Sequence, residues 1–297
     1  MCARRMHEDQ VDIDDDLVRR LITKQFPQWT HLPVEYFDSG GTVNAIYRLG
    51  HQMYVRLPLQ DAWAWHLRTE AKWLPRLAPH LPFPIPEPLA HGEPDEGYQF
   101  AWAVYNWIEG EPWSPDGIRD MKEAATDLAR FISAMQRIDP AGGKVPRGAQ
   151  ALALRSRDHW VRMTAESARD MIDADALIAA WDEALDLPDF DEAPLWVHSD
   201  LLPGNVLVKE GRMTAVIDFG GAHVGDPAVD ISAAWKLLKG AESRAAFRAA
   251  LDVDDATWAR ARGWAMPSVG ALHYYRQTNP SMVAFGLHTI NEVLEDR

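Results

Sequence analysis

At 297 residues, with 47% hydrophobic and 25% charged side chains, the chain suits one two-lobed unit or two modest domains of ordinary globular composition. A formal net charge of −14 argues against a nucleic-acid partner, because phosphate backbones require clustered Lys and Arg. One cysteine, Cys2, excludes an intrachain disulfide and suits a reducing, cytoplasmic compartment; no apolar run is long enough for a membrane span, and Met1–Asp16 lacks the apolar core of an export signal.

The first periodic segment is Val43–Leu57. Val43, Ala45, Tyr47 and Leu49 alternate with Asn44, Ile46 and Arg48, and Met53, Val55 and Leu57 alternate with Tyr54 and Arg56, with Gly50-His51 as a hairpin turn between them. Just upstream, Asp38-Ser39-Gly40-Gly41-Thr42 is a turn whose glycines let backbone N–H groups approach an anion; it lacks the G-x-G-x-x-G pattern and alone reads equally as an ordinary hairpin turn. A helix is predicted over 61–77, stopping near Pro79, with Trp73, Leu74 and Leu77 on its apolar side and Glu70 either a surface charge or a partner for Arg56. Pro82, Pro84, Pro86 and Pro88 form an extended link, and Tyr98–Trp107 reads as a further strand. Gly110-Glu111-Pro112 ends that strand and marks a hinge, dividing the chain into an N-terminal lobe, 1–106, and a C-terminal lobe, 107–297.

The second half begins as helix. Met121, Ala125, Leu128, Phe131, Ile132, Met135 and Ile138 recur at three- and four-residue spacing, and Leu177, Ile178, Trp181 and Leu185 repeat the pattern. Between Glu166 and Glu192 ten side chains are acidic and one, Arg169, is basic, which describes a solvated helical face. The overall acidity fits solubility, and equally a cationic small molecule drawn to a negative surface.

Trp196–Asp230 carries the chemistry. His198-Ser199-Asp200 stands five residues before Asn205, and Asp218-Phe219-Gly220 follows one predicted hairpin later, made of Val206-Leu207-Val208 and Ala215-Val216-Ile217 joined through Lys209-Glu210-Gly211-Arg212. Such a hairpin would bring Asn205 near Asp218, with Asp200 beside both. Alone, H-x-D could be a metal-ligand pair of a hydrolase, with nearby His223 the only candidate for a further ligand, and D-F-G is a common turn. In this order and spacing the three side chains match phosphoryl transfer: Asp200 accepts a hydrogen bond from an attacking hydroxyl, and Asn205 and Asp218 hold Mg2+ against nucleotide phosphates. Gly225-Asp226-Pro227 then opens a helix, with Asp226 as N-cap, Pro227 at the first helical position and Asp230 a structural residue one turn on. Only seven residues separate Asp218 from Asp226 and no Ala-Pro-Glu follows, which leaves no room for a peptide-docking activation segment and favours a small-molecule acceptor.

These motifs resemble the catalytic core of the aminoglycoside phosphotransferase family, which includes macrolide phosphotransferases and choline-kinase relatives; the similarity runs from about Phe37 to about Thr289. The resemblance implies an α+β, protein-kinase-like bilobal fold, with an N-terminal antiparallel sheet lobe carrying one main helix and a mostly helical C-terminal lobe. It implies an alcohol-accepting phosphotransferase with ATP or GTP as donor and Mg2+ as cofactor. The acceptor would be a small-molecule hydroxyl, most simply an aminoglycoside or macrolide, with a sugar, choline-like or other amino-alcohol metabolite as the alternative and a non-catalytic nucleotide-binding regulator as a third. In its terms Asp200 is the base and His198 supports the loop; Arg56, fixed by Glu70, grips phosphate with Ser39, Gly40, Gly41 and Thr42; the backbone of Tyr105–Ile108 meets the purine; Asp226 braces the catalytic loop. The acidic helices would then also read as a wall beside an amine-bearing acceptor. Two departures stand out: Ser199 replaces the family's usual Gly, and the phosphate-turn glycine pattern is incomplete. The C-terminal third is helical; Trp258, Trp264, His273, Tyr274 and Tyr275 serve core packing or line an acceptor pocket. Neither a membrane partner nor an oligomeric state is indicated.

Overall fold

The computed structural model describes residues 11–39, 43–143 and 153–296, apart from the side chains of 62–64. Two compact units emerge. The first comprises Met1–Pro79, Pro84–Glu109 and Ala215–Gly221; the second comprises His80–Phe83, Gly110–Thr214 and Ala222–Arg297.

The first unit is built on an antiparallel sheet. A helix α1 (Asp15–Gln25) precedes β1 (Val34–Phe37), β2 (Asn44–Leu49) and β3 (Met53–Pro58); then come α2 (Asp61–Leu77), β4 (Pro88–Gly92) and β5 (Trp102–Asn106). The strands lie in the order β1-β2-β3-β5-β4. Strand periodicity sorts their side chains onto two faces. Ala45, Tyr47, Leu49, Val55, Leu57, Trp102 and Val104 join Leu17, Val18, Leu21 and Ile22 of α1 in one apolar cluster. The other face turns Tyr54, Arg56 and Tyr105 toward α2, which lies against β3, β4 and β5 and buries Leu67, Trp73, Leu74 and Leu77. Arg56 is opposite Ile46 on one side and Ala103 on the other, and Tyr54 is opposite Tyr105. The β2–β3 turn works because Gly50 takes φ +61°, a left-handed conformation open to glycine.

Three features extend the predicted elements. Helix α1 has clear local causes: Asp14 caps it by accepting from Leu17 N at 2.8 Å, and its buried residues recur at helical spacing. The proline link ends in a true strand, since Pro88 starts β4 on the sheet edge, where a missing N–H breaks no ladder. The predicted strand 98–107 shortens to Trp102–Asn106, with Tyr98 instead bridging back to Asp95.

The second unit is mostly helical. It opens on the two-residue strand β6 (Glu111–Pro112), then α3 (Met121–Gln136), α4 (Asp158–Ser167) and α5 (Ala174–Leu185). Strands β7 (Leu195–Val197), β8 (Val206–Lys209), β9 (Arg212–Val216) and β10 (His223–Gly225) follow; the last two residues of β9 group with the first unit. Six helices finish the chain: α6 (Ala228–Ile231), α7 (Ala233–Lys236), α8 (Ala241–Leu251), α9 (Asp255–Ala265), α10 (Gly270–Tyr274) and α11 (Pro280–Glu295). The sheets are β6-β8-β9 and the antiparallel pair β7–β10. Trp181, Trp196, Trp235, Phe131 and Phe247 are fully buried, and Trp264 is nearly so. Tyr274, 54% exposed and stacked on Trp160, is not core. Much of the acidic segment is engaged in exposed ion pairs: Arg169 holds Glu166 and Asp175, Arg162 holds Asp182, and Arg276 holds Asp170.

A buried polar knot ties α8 to α11. Arg244 of α8 pairs with Glu292 and Asp296; Glu292 also accepts from Gly240 N, and Asp296 accepts from the Trp235 indole. Removing one member of a buried pair leaves the other's charge uncompensated. Glu292→Leu is therefore expected to destabilise the second unit by about 3–5 kcal/mol in chemical denaturation. A loss below about 1 kcal/mol would show that Asp296 alone satisfies Arg244.

Candidate active site

The two halves of the predicted chemistry lie in different units. In the second unit, β7 ends at Val197 and the chain turns sharply through His198–Asn205. Asp230, on the one-turn helix α6, holds that turn: its two carboxyl oxygens accept from His198 N and Ser199 N, each at 2.7 Å. His198 is fully buried and accepts through Nδ1 from Asp200 N at 3.2 Å. Asn205 then fixes Asp200, donating from Nδ2 to the Asp200 carbonyl (2.9 Å) and to carboxyl Oδ2 (2.8 Å). The Trp113 backbone N–H donates to the carbonyls of Pro203 and Val206.

This corrects the expected brace. Asp230, not Asp226, ties down the His198–Asn205 loop. Asp226 accepts from Ala228 N at 2.9 Å and from Arg260 Nε at 3.3 Å, tying the start of α6 to α9. Pro227, not Asp226, occupies the N-cap position, one residue later than predicted. Because α6 is a single turn, its third residue comes directly under the loop.

Burial and charge tune these groups. The Asp230 carboxyl is pushed up to about 6, first by burial, against the opposing pull of the His198 and Ser199 amides and of Lys236. Lys236, on α7, is half-buried; burial lowers its ammonium, while Asp200 and then Asp230 favour its charge. Sequence reasoning missed Lys236. Its one signal was a lone cation in an apolar run, Ala233–Leu238, six residues beyond Asp230.

Ser199, the departure from the family's usual Gly, has a backbone consequence. It sits at φ +71°, in the left-handed region that costs a side-chain-bearing residue about 1 kcal/mol. Asp218 also lies there, at φ +64°, which aspartate tolerates better than most.

In the first unit, Arg56 is the hub. Nη1 donates to Glu70 Oε1 at 2.7 Å and Nη2 to Asp218 Oδ1 at 2.9 Å. With its amide oxygen turned inward, Asn44 accepts from Nε (3.1 Å) and Nη2 (3.0 Å). Arg56 is 4% exposed and Glu70 not at all. Burial would lower the guanidinium, but Asp218 and then Glu70 outweigh it and hold its pKa well up; Glu70 is raised because burial outweighs Arg56. Glycine is required in the turn after Asp218, since a Cβ on Gly220 would stand 2.6 Å from the His66 ring of α2. Ser39 is exposed beyond β1, and Gly40, Gly41 and Thr42 lie outside the described residues.

Donor chemistry permits Mg2+, which takes hard oxygen ligands and commonly only one or two from protein. Asn205 spends its Nδ2 on Asp200, which turns its amide oxygen the other way, and Asp218 is a carboxylate with one oxygen on Arg56. Among the described residues, no group of three or more His, Cys, Asp or Glu could hold a metal alone. Among them too, no helix is long and apolar enough to cross a membrane.

A carboxylate clamped by an amide on a braced loop, and a buried Arg–Glu pair reaching a second aspartate, define a phosphoryl-transfer enzyme with a protein-kinase-like α+β fold. The chain belongs to the phosphotransferase enzyme family, whose model (APH) matches residues 37–264. It is thus an enzyme that transfers phosphate to a small-molecule hydroxyl. Solved structures share its fold at low identity. The GDP and kanamycin complex of APH(2")-IIIa is 20% identical, with a TM-score of 0.70 over 94% of this chain and 99% of that one. The streptomycin–ATP–APH(2")-IIa ternary complex is 20% identical, with a TM-score of 0.61 over 92% and 99%. Macrolide 2'-phosphotransferase MphH from Brachybacterium faecium is 19% identical, with a TM-score of 0.62 over 94% and 98%. No curated protein matches the sequence.

Two outcomes are expected. Ser199→Gly removes the left-handed penalty at some cost in unfolded-state entropy, so the chain should gain up to about 1 kcal/mol, whereas Ser199→Val should lose more than that; equal stabilities by thermal unfolding would contradict the strain. Asp230 loses its proton near pH 6 when folded and near 3.8 when unfolded. Between those values the folded chain binds a proton that the unfolded chain has lost, so this group's contribution to stability falls as pH rises through the window and is flat above it. The stability of wild type minus that of Asp230→Asn should fall over the same range; a pH-independent difference would refute the shift.

Proposed function

We propose that the chain transfers the γ-phosphoryl group of ATP or GTP to a hydroxyl of an antibiotic, an aminoglycoside or a macrolide. The observation that carries this reading is the fixed Asp200 carboxyl, held at 2.8 Å by Asn205 on a loop anchored to Asp230. Family membership and the antibiotics named for structures of the same fold support the acceptor class. The net charge of −14 favours a cationic acceptor, which it would concentrate. A cytoplasmic setting fits a nucleotide donor.

In the proposed step the acceptor oxygen attacks the γ-phosphorus in line. Its O–P bond forms as the bond from the γ-phosphorus to the β–γ bridging oxygen breaks, and the nucleoside diphosphate leaves with that electron pair. Asp200 orients the hydroxyl and takes its proton; His198 holds the Asp200 backbone and does not act as the base. Arg56, fixed by Glu70, supplies positive charge toward the donor phosphates, together with the turn Ser39–Thr42. Asn205 and Asp218 would supply oxygens to Mg2+, which when bound would neutralise phosphate charge.

An acceptor screen with ATP and GTP, reading phosphorylated product, tests this proposal. Product with aminoglycosides or macrolides is expected, and Asp200→Asn should lower kcat by about 10²–10⁴-fold. Product only with sugars or amino alcohols would move the acceptor to metabolism. Nucleotide binding without any product would leave a regulator, and full turnover by Asp200→Asn would remove Asp200 from its role.

A further inference from the structure

Glu70 has two carboxyl oxygens and no exposure to water. Arg56 satisfies Oε1. The second oxygen, Oε2, accepts from the Tyr105 hydroxyl at 2.6 Å, inside the length range of a charge-assisted O–H···O bond. Tyr105 is itself fully buried on β5, directly across the ladder from Tyr54 on β3. The two rings stack at 5.2 Å with 15° between their planes. The phenol is thus fixed by its strand, its neighbour's ring and its hydrogen bond.

We propose that Tyr105 is a positioning residue for the donor half of the site: it holds Glu70 in the rotamer and the ionised form that keep Arg56 in place. This rests on the proposed role of Arg56 toward the donor phosphates. A buried carboxylate with one unsatisfied oxygen is costly and escapes by rotating or by taking up a proton. Either change removes the anchor of Arg56. Burial already raises the Glu70 carboxyl, with the Tyr105 hydroxyl among the groups opposing that rise. Burial likewise keeps Tyr105 protonated, so it remains a donor throughout the ordinary pH range. Because Arg56 also reaches Asp218, loss of the hydroxyl is transmitted from β5 through α2 and β3 to that aspartate.

Tyr105→Phe deletes the hydroxyl and keeps the ring stack. In the full chain it should weaken Mg·ATP or Mg·GTP binding about tenfold by calorimetry, and raise the nucleotide KM similarly with the acceptor KM unchanged. A role confined to stability would lower Tm and leave nucleotide Kd untouched, and that result overturns the proposal. A double-mutant cycle adds a second check. In a Glu70→Ala background, Tyr105→Phe should change nucleotide Kd less than twofold; a tenfold effect there would mean that Tyr105 does not act through Glu70. If Glu70→Ala does not fold, the split between nucleotide and acceptor parameters in Tyr105→Phe alone decides. Binding is measured without turnover, so a wild-type chain that binds nucleotide yet phosphorylates no acceptor defeats the proposed function while still testing Tyr105.

Discussion

Two carboxylates share one guanidinium in the interior of the first unit, and that arrangement organises what surrounds it. Arg56 lies on a strand whose neighbours bury it from both sides, so its charge is tolerable only with acceptors in place. Glu70 from α2, Asp218 from the turn after β9 and Asn44 from β2 supply them. Three neighbouring segments, β2, β3 and α2, and one distant turn therefore meet around a single cation. Shifting any one of them strands a buried charge, which is why the sheet, α2 and the Asp218 turn constrain one another more tightly than apolar packing alone would require.

The second unit solves a similar problem with the opposite charge. Asp230 is a buried anion whose partners are backbone amides of consecutive residues, His198 and Ser199. Two adjacent N–H groups can point at one carboxyl only if the backbone curls, and the curl is the left-handed turn at Ser199. The strain there and the stabilisation by Asp230 are two sides of one conformation. Its product is a loop in which Asp200 and Asn205, five residues apart, face each other. Lys236 adds a nearby positive charge that moderates the gathering of two carboxylates.

How much of this was legible in the sequence depends on the range of each interaction. Asp200, Asn205 and Asp218 stood out because their spacing is local and their chemistry restricts residue type. Strands β2 and β3 and helix α2 were readable from period and turn residues. Helix α1 was equally local, marked by Asp14 and the Leu17, Val18, Leu21, Ile22 stripe. Strand β4 hid because prolines signal a link even where an edge strand tolerates one. Tyr105 and Asn44 had no distinguishing signal and Lys236 only its place in an apolar run: a tyrosine in an apolar strand, an amide in an alternating one and a lysine on a short helix acquire meaning from partners 35, 12 and 36 residues away. Asp226 and Asp230 were separable only by geometry, since both follow the same glycine and either could have faced the loop.

Gly220 gives the first unit something like a mechanical detent. The His66 ring occupies the space where any Gly220 side chain would stand, so it sits in a notch rather than against a smooth wall. A helix seated this way resists sliding along its own axis, because any axial shift must first lift His66 out of the notch. Glu70 lies one turn further along the same helix. The smallest residue in the motif thus indexes α2 and keeps its carboxylate at the height of Arg56, a task that the larger, charged residues around it could not perform for themselves.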